Sequence, residues 1–317
     1  MLAFKKTLKC MLFKKIINFY LEKKNFFILY RFGSGIGDQL LMSGLVGLIY
    51  KKYKFKILVF TNYPELFFNN PNIYKVYSFN KILGILIYKI LKKLDIIRIR
   101  EYSYISQHTK KKGIHDLSNF KDIHLAEYHS KNVNISINYK NFNNQLFFSE
   151  KEIIRFEKDL NLPKKYSVIQ PQGKISFTKN KEWGHNKFQE VVNKLNDITW
   201  VQLGVSNQKK LSNIFKFYSN LNLRQLAYII YRSEFLLCLE GLYNHLANCF
   251  KKKTFIILSG FVSEKNINYS NNILIKKFDH LECYPCYKLY DCDVYGKPCT
   301  NLITSDDVVN IIKNNLN

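Results

Sequence analysis

The feature that most constrains the fold is a repeated alternation of short apolar stretches with stretches of helical periodicity. Apolar stretches typical of buried strands stand at 26–32, 55–60, 74–79, 95–102, 166–171, 199–204, 234–239 and 254–260. Helical spacing of apolar residues appears at 38–51, 81–93, 149–160, 186–195, 222–233, 244–250 and 305–312. Buried strands separated by helices predict parallel sheets with helices on both faces. The sequence therefore predicts an α/β protein of the doubly wound type.

The alternation is interrupted once, in an irregular and asparagine-rich region between 103 and 150. Ser149 and Glu152 then have the spacing of a helix capping box, and Pro163 follows the predicted end of that helix. A chain of 317 residues is long enough for two domains. We predict a terminal helix at 1–25, a Rossmann-like domain at 26–160 and a second one at 161–317. Ligands of such paired domains are expected in the cleft between them.

The chain is strongly basic, with 49 lysines and arginines against 24 acidic residues and a net charge of +25. Lysine supplies nearly all of the positive charge and is scattered among asparagines. Two interpretations stay open, a compositional bias towards lysine or attraction to a polyanion such as nucleic acid or an anionic membrane. The sequence has neither arginine clusters nor the aromatic signatures of RNA-binding domains, so a sequence-specific nucleic-acid partner is disfavoured.

Residues 1–25 have the pattern of a basic amphipathic helix. Their apolar residues at helical spacing are Leu8, Leu12, Ile16 and Phe19. The stretch lacks the apolar core and cleavage site of a signal peptide and is too charged to span a bilayer. It either lies on an anionic membrane surface or packs on its own domain. Without a secretion signal, we expect a cytoplasmic protein with reduced cysteines, in peripheral contact with the inner face of the inner membrane if the first interpretation holds.

A glycine-rich loop, "GSGIGD" at 33–38, follows the first predicted strand and opens a helix. In a dinucleotide-binding fingerprint that begins at Gly33 and Gly35, the third glycine would stand where this chain has Asp38, so the fingerprint fails. The loop also lacks the lysine and hydroxyl of a P-loop. A carboxylate at a helix start is a poor neighbour for phosphate. Asp38 is therefore either a helix cap or a general base that points into the cleft.

The first half of the chain resembles glycosyltransferase family 9, the heptosyltransferases. The resemblance rests on "GSGIGDQLLMSGLVGLIYKKY", with "NNPNIYKVYSF" downstream. It implies a GT-B fold, in which two Rossmann-like domains face a central cleft, and it makes Asp38 the catalytic base. Gly33, Gly35 and Gly37 would then form an acceptor-side loop whose backbone passes close to bound sugar.

The segment "SVIQPQGKISFTKNKEWGHNKFQEVVNKL", at 167–195, is similar to the donor-side segment of the same family. The resemblance makes Lys181 and Trp183 donor-binding residues, with Lys181 neutralising the diphosphate leaving group. Gly184 stands where the family usually has proline. Because Lys174 and Lys179 are close by in the sequence, the alternative for Lys181 is an ordinary solvated lysine.

The segment "CLEGLYNHLANCF", at 238–250, resembles the donor motif of the family, D-S-G-x-x-H-L-A or E-G-G-x-x-H. The donor contacts that it implies are Glu240, Gly241, Asn244 and His245. A strand that leads directly into a helix also presents backbone N–H groups to a diphosphate. Taken alone, His245 could equally be a structural residue.

Four cysteines near the end of the chain are spaced C-x2-C-x5-C-x6-C: Cys283, Cys286, Cys292 and Cys299. Four close thiolates can hold zinc or iron in a tetrahedral structural site. The resemblance points the same way, because some relatives that modify proteins hold iron in this region. The alternative is four reduced cysteines in a loop. Because GT-B chemistry generally needs no metal, we expect no cofactor to be required for catalysis.

These features together predict an inverting bacterial glycosyltransferase. The resemblance implies transfer of a heptose or related sugar from a nucleotide sugar, with ADP-heptose as the expected donor. The expected acceptor is a lipid-linked or surface glycan such as lipopolysaccharide core or capsule. The alternatives are a transferase that uses another sugar or a protein acceptor, a catalytically silent GT-B protein that binds nucleotide sugars or glycans, and a polyanion-binding protein with a metal knuckle.

Overall fold

The computed structural model describes residues 26–31, 35–78, 86, 99–101, 123–131, 133–287, 292 and 299–316. The amphipathic helix predicted at 1–25 lies outside these ranges, as does nearly all of the helix predicted at 81–93. The described residues form two compact units. The first unit contains those before position 102, together with His129–Ile137 and Asn144–Phe148. The second contains 123–128, Asn138–Asn143 and the described residues from Ser149 onwards.

The first unit is built on a parallel sheet. Its described strands are β1 (Phe26–Arg31), β2 (Lys56–Thr61), β3 (Ile73–Ser78) and β4 (Ile99–Glu101). They lie side by side in the order β3-β2-β1-β4, and every pairing is parallel. This is the strand order with which a Rossmann domain begins.

Helix α1 (Ile36–Tyr53) follows β1 and buries most of its first three turns. Two hydrogen bonds fix it. The Thr61 hydroxyl, at the end of β2, donates to Gln39 Oε1 over 2.9 Å. The backbone N–H of Gln145 donates to Ser43 Oγ over 2.9 Å. The start of α1 is thereby tied to the carboxyl end of β2, and its middle to the backbone at Gln145.

The second unit is built on a parallel sheet of six described strands. They are β5 (Ser167–Gln170), β6 (Trp200–Leu203), β7 (Lys216–Tyr218), β8 (Leu236–Leu239), β9 (Thr254–Ile257) and β10 (Asn272–Ile275). Their order, β10-β9-β8-β5-β6-β7, is the 3-2-1-4-5-6 order of the doubly wound dinucleotide-binding fold. Every residue of β5, β6, β8 and β9 is buried, as expected for strands covered on both faces. The predicted α/β class is confirmed.

The remaining helices are α2 (Leu125–Lys131), α3 (Glu150–Leu160), α4 (His185–Lys194), α5 (Leu223–Arg232), α6 (Leu242–Cys249), α7 (Glu264–Ile267) and α8 (Ser305–Leu316). Short 3₁₀ turns stand at Pro64–Leu66, Tyr139–Asn141 and Cys299–Leu302. Over the described ranges, no helix combines the length and the apolar character that crossing a membrane requires.

Helix α3 packs on the second unit, although the boundary predicted near residue 160 assigns it to the first domain. The capping box of Ser149 and Glu152 is present as the sequence predicts. The same Glu152 carboxylate accepts two hydrogen bonds from Arg224 of α5, over 2.5 and 2.9 Å. The Phe156 ring lies 5.4 Å from that of Tyr228, also on α5. The apolar face of α3 therefore has its partner in the second unit.

Glu152 should make the stability of the protein depend on acid pH. Burial raises the pKa of this carboxyl, but hydrogen bonds from Arg224 and Ser149 and the guanidinium charge outweigh burial and lower the pKa to about 2. A depressed folded-state pKa contributes stability above the unfolded-state value near 4.5, and this stability is lost as pH falls towards 2. We expect the contribution to be about 1–2 kcal/mol, less than the full shift implies because solvent screens a partly exposed pair. Urea unfolding of Glu152→Gln should therefore show a smaller fall in unfolding free energy between pH 5 and pH 2 than wild type, and equal falls would contradict this.

Candidate functional site

The ligand crevice of a doubly wound sheet lies beyond the carboxyl ends of its strands, where the strand order reverses. In the second unit that point is between β5 and β8, which are neighbours in the sheet. The segment 171–184 follows β5, and Glu240 with Gly241 follows β8. The two donor motifs read from the sequence thus meet at the place where this fold binds ligands.

Lys181 and Glu240 form an ion pair at this point, with 2.5 Å between Lys181 Nζ and Glu240 Oε2. Both side chains are largely buried, with 16% and 9% exposed. The ammonium also lies over two aromatic rings, 5.1 Å from the centre of Phe177 and 4.7 Å from that of Phe261. Lys181 is therefore not an ordinary solvated lysine but a cation held at the switch point of the sheet.

Hydrogen bonds to Glu182 hold the loop that carries Lys181. The backbone N–H of Gly173 donates to Glu182 Oε1 over 2.9 Å, and the Thr300 hydroxyl donates to the Glu182 carbonyl over 2.5 Å. Burial raises the pKa of the Glu182 carboxyl, and the bond from Gly173 opposes this rise. Glu182, which no motif singled out, therefore holds the loop closed.

Trp183, predicted to contact the donor, lies in the core. Its side chain is 1% exposed, its indole N–H donates to the carbonyl of Ile303 over 2.9 Å, and its ring meets Phe188 edge-on at 4.8 Å. The residue thus packs in the core, two positions after Lys181 in the same segment, and anchors that segment to Ile303.

The turn from β8 into α6 depends on a glycine. Gly241 is the N-cap of α6 with a φ of 152°, in the region that side chains disfavour. A Cβ built there would meet nothing within 4 Å, so the backbone angle and not crowding requires glycine. This turn directs the first N–H groups of α6 out of the sheet edge beside Glu240.

Asn244 and His245, both buried on α6, tie this helix to the segment before β10. Asn244 Nδ2 donates to the carbonyl of Ile267 over 3.0 Å, and His245 Nδ1 lies 2.7 Å from the Tyr269 hydroxyl. Burial lowers the pKa of His245 to about 4, Glu240 opposes the shift and Lys181 adds to it. The imidazole is therefore neutral near pH 7 and close enough to the ion pair to be influenced by both charges.

A second buried histidine, which sequence reasoning missed, adjoins His245. The His124 ring stacks on Tyr139 at 4.9 Å and meets Tyr269 edge-on at 5.0 Å. Its Nδ1 accepts the backbone N–H of Ala126 over 3.0 Å, which leaves the proton on Nε2. Burial lowers its pKa to about 3, with a further contribution from His245. Two neutral imidazoles thus flank Tyr269.

In the first unit, Asp38 stands in the first turn of α1 and is 8% exposed. The N-cap of α1 is Gly35, so Asp38 does not take the capping position that the sequence left open for it. Asp38 Oδ2 lies 3.5 Å from where a Cβ on Gly35 would stand. Gly35 has a φ of −66°, which any residue can adopt. Gly37 is the second residue of α1, and Gly33 lies outside the described residues.

The cysteine segment is held by the loop that follows β9. Cys299 Sγ accepts the backbone N–H of Gly260 over 3.0 Å, and Cys286 N–H donates to the Gly260 carbonyl over 2.9 Å. Burial raises the pKa of the Cys299 thiol. All four clustered cysteines are among the described residues, and within those residues no three His, Cys, Asp or Glu side chains are placed to hold a metal ion. Within those residues the structure therefore shows no metal site, and the tetrahedral site stays a prediction from the spacing.

The sequence matches no protein-family model and no curated protein. Solved structures do match. A glycosyltransferase of family 9 from Veillonella parvula is 12% identical, with a TM-score of 0.62 over 92% of this chain and 97% of that one. The ADP-heptose lipopolysaccharide heptosyltransferase II of E. coli is 13% identical, with a TM-score of 0.65 over 91% and 98%.

The iron-containing dodecameric glycosyltransferase TibC of enterotoxigenic E. coli is 14% identical, with a TM-score of 0.64 over 91% of this chain and 75% of that one. TibC has also been solved in complex with ADP-D-β-D-heptose. These similarities confirm the predicted resemblance at the level of the fold, which is that of the GT-B heptosyltransferases.

Proposed function

We propose that this protein is an inverting glycosyltransferase that moves a sugar from a nucleotide-sugar donor to a glycan acceptor. The observation that carries the proposal is the buried Lys181–Glu240 pair at the switch point of a Rossmann-ordered sheet, beside the N-terminus of α6. A held cation next to free helix N–H groups is the arrangement that a departing diphosphate needs.

The donor is bound by the second unit. The Lys181 ammonium and the N–H groups after Gly241 neutralise the diphosphate as its bond to the sugar breaks. Glu240 accepts hydrogen bonds from sugar or ribose hydroxyls, and Asn244 and His245 hold α6 in place for these contacts. The donor that we propose is ADP-heptose, and the structural similarity to TibC, solved with ADP-D-β-D-heptose, supports this choice.

The acceptor is activated by the first unit. Asp38 removes the proton from an acceptor hydroxyl as that oxygen attacks the anomeric carbon, so the configuration inverts in one displacement. Gly33, Gly35 and Gly37, which stand around the start of α1 in the sequence, let the acceptor approach. The acceptor that we propose is a lipid-linked or surface glycan such as lipopolysaccharide core or capsule, reached from the cytoplasm, with 1–25 in contact with the anionic membrane face. A cationic side chain already neutralises the leaving group, so this mechanism calls on no cofactor.

The proposal predicts that Lys181→Gln weakens ADP binding by at least about tenfold, because the substitution removes the cation that meets the diphosphate. Calorimetric titration of the full chain with ADP, UDP, GDP and CMP measures this and should show selective binding of ADP by wild type. Lys179→Gln is the matched control, since it removes an exposed lysine of the same loop and should leave the affinity unchanged.

Turnover of ADP-heptose with a glycan acceptor then separates the enzyme from a silent binding protein. Selective ADP binding without transfer to any glycan would favour the silent protein. If no nucleotide binds wild type, the transferase proposal is wrong.

A further inference from the structure

We propose that Glu240 competes with the donor diphosphate for Lys181, so that donor binding exchanges a carboxylate for a phosphate at the ammonium. This inference rests on the proposed function and gives Glu240 a role beyond that of a hydroxyl acceptor. The Lys181–Glu240 pair then discriminates between the anionic ligands that enter the proposed donor site.

The first argument is the chemistry of the pair. Carboxylate and phosphate oxygens accept the same charge-assisted hydrogen bonds from an ammonium group, at similar distances. Glu240 Oε2 lies 2.5 Å from Lys181 Nζ, so the ammonium already faces an anionic oxygen of the kind that a phosphate would present.

The second argument is that the Lys181 ammonium has no room to bind a phosphate while it keeps all of its present neighbours. The Lys181 ammonium is covered by Phe177 at 5.1 Å, Phe261 at 4.7 Å and the Glu240 carboxylate. The lysine side chain is only 16% exposed. A phosphate therefore reaches Nζ by displacing one of these three groups, and the carboxylate is the one that repels it.

The third argument identifies which partner moves. Phe261 is 6% exposed, and its carbonyl accepts the N–H of Tyr287 over 2.9 Å. Attraction between the ammonium and the two ring faces keeps Lys181 in place when the carboxylate leaves. The Phe177 ring is 44% exposed but uncharged. Glu240, by contrast, directly follows β8 in the turn that leads into α6, and its carboxylate is the negatively charged group among the three. Repulsion from a phosphate therefore acts on Glu240 and on neither ring.

The exchange favours a diphosphate over a monophosphate. Breaking the ion pair costs free energy that a ligand must offset with more than one new contact. A diphosphate can contact both Lys181 and the N–H groups at the start of α6, whereas a single phosphate has fewer oxygens to do so. We therefore expect Glu240 to lower the affinity for all anions, and for AMP more than for ADP.

The test is calorimetric titration of the full-length protein with ADP and with AMP. Glu240→Gln should bind ADP about tenfold more tightly than wild type and should discriminate less between ADP and AMP. Glu240→Asp keeps the charge but withdraws it by one methylene, so its affinity should fall between those of wild type and Glu240→Gln. Melting curves establish whether each variant is folded. If Glu240→Gln is not folded, Glu240→Asp alone provides the test.

Asp306→Asn is the matched control. It removes one negative charge from another ion pair of the same unit, 2.6 Å from Lys194 on the surface, and should leave both affinities unchanged. If wild type binds ADP and neither Glu240 variant binds it more tightly, the exchange is wrong while the proposed function stands. If neither wild type nor any variant binds ADP, both are wrong.

Discussion

Replacing Asp38 with asparagine should lower kcat for sugar transfer by about 10²–10⁴-fold, the range that a general base contributes. An amide has the size of the carboxylate but cannot take a proton from the acceptor hydroxyl. Binding of ADP should be unchanged, because the residues proposed to hold the nucleotide belong to the second unit. The side chain is 8% exposed in the first turn of α1, where its loss of charge costs only about 0.3–1 kcal/mol of helix stabilisation.

The measurement is a steady-state assay of transfer from ADP-heptose, with calorimetry of ADP binding on the same preparations. Glu65→Gln, which removes another acidic side chain of the first unit, is the control and should retain wild-type kcat. An Asp38→Asn protein with undiminished kcat would remove Asp38 from the mechanism. A protein that lost ADP binding as well would point to a structural role instead.

Replacing Trp183 with alanine should lower the free energy of unfolding by about 3–5 kcal/mol, the usual cost of removing a large buried aromatic side chain. The side chain is 1% exposed, and the substitution also leaves the Ile303 carbonyl without the indole N–H. Because this residue anchors the segment that carries Lys181, the variant should also bind ADP more weakly at temperatures where it remains folded.

Urea unfolding followed by circular dichroism measures the loss. Trp183→Phe keeps most of the packing and gives up the hydrogen bond, so it should cost less than the alanine variant. Ile154→Ala, at a side chain that is 67% exposed, should be nearly neutral. A Trp183→Ala protein as stable as wild type, but with impaired ADP binding, would restore the direct donor contact that the motif implied.

The sequence predicted most of the strands and helices of the second unit because its buried parallel strands are continuous apolar runs. Two strands were missed, β7 (Lys216–Tyr218) and β10 (Asn272–Ile275). Both are short and lie at the edges of the sheet. An edge strand is covered on fewer sides and needs less apolar surface. The strands β7 and β10 therefore lack the continuous apolar run that identifies β5 and β8 in the sequence.

The sequence predicted individual residues of the candidate site, but only the fold shows which of them lie next to each other. Lys181 and Glu240 were read from separate motifs, and their contact follows from the crossover that places β8 beside β5. Phe177 and Phe261 were missed because aromatic residues are common in this chain and their distance from the lysine is a tertiary property. The motif identifies Trp183 by residue type, but the burial of its side chain in the core is a tertiary property that the motif does not reveal.

The fastening of the lysine loop by Thr300 and Ile303 has a consequence for how the protein is made. The strands β5 to β9 can pair as soon as they have left the ribosome, since each depends only on segments already synthesised. The loop cannot be fastened fully at that stage, because Thr300, which bonds the Glu182 carbonyl, and Ile303, which bonds Trp183, lie about 120 residues further along the chain. During synthesis the sheet can therefore form before the lysine loop is fastened, because these two hydrogen bonds cannot form until residues 299–303 have emerged and folded back.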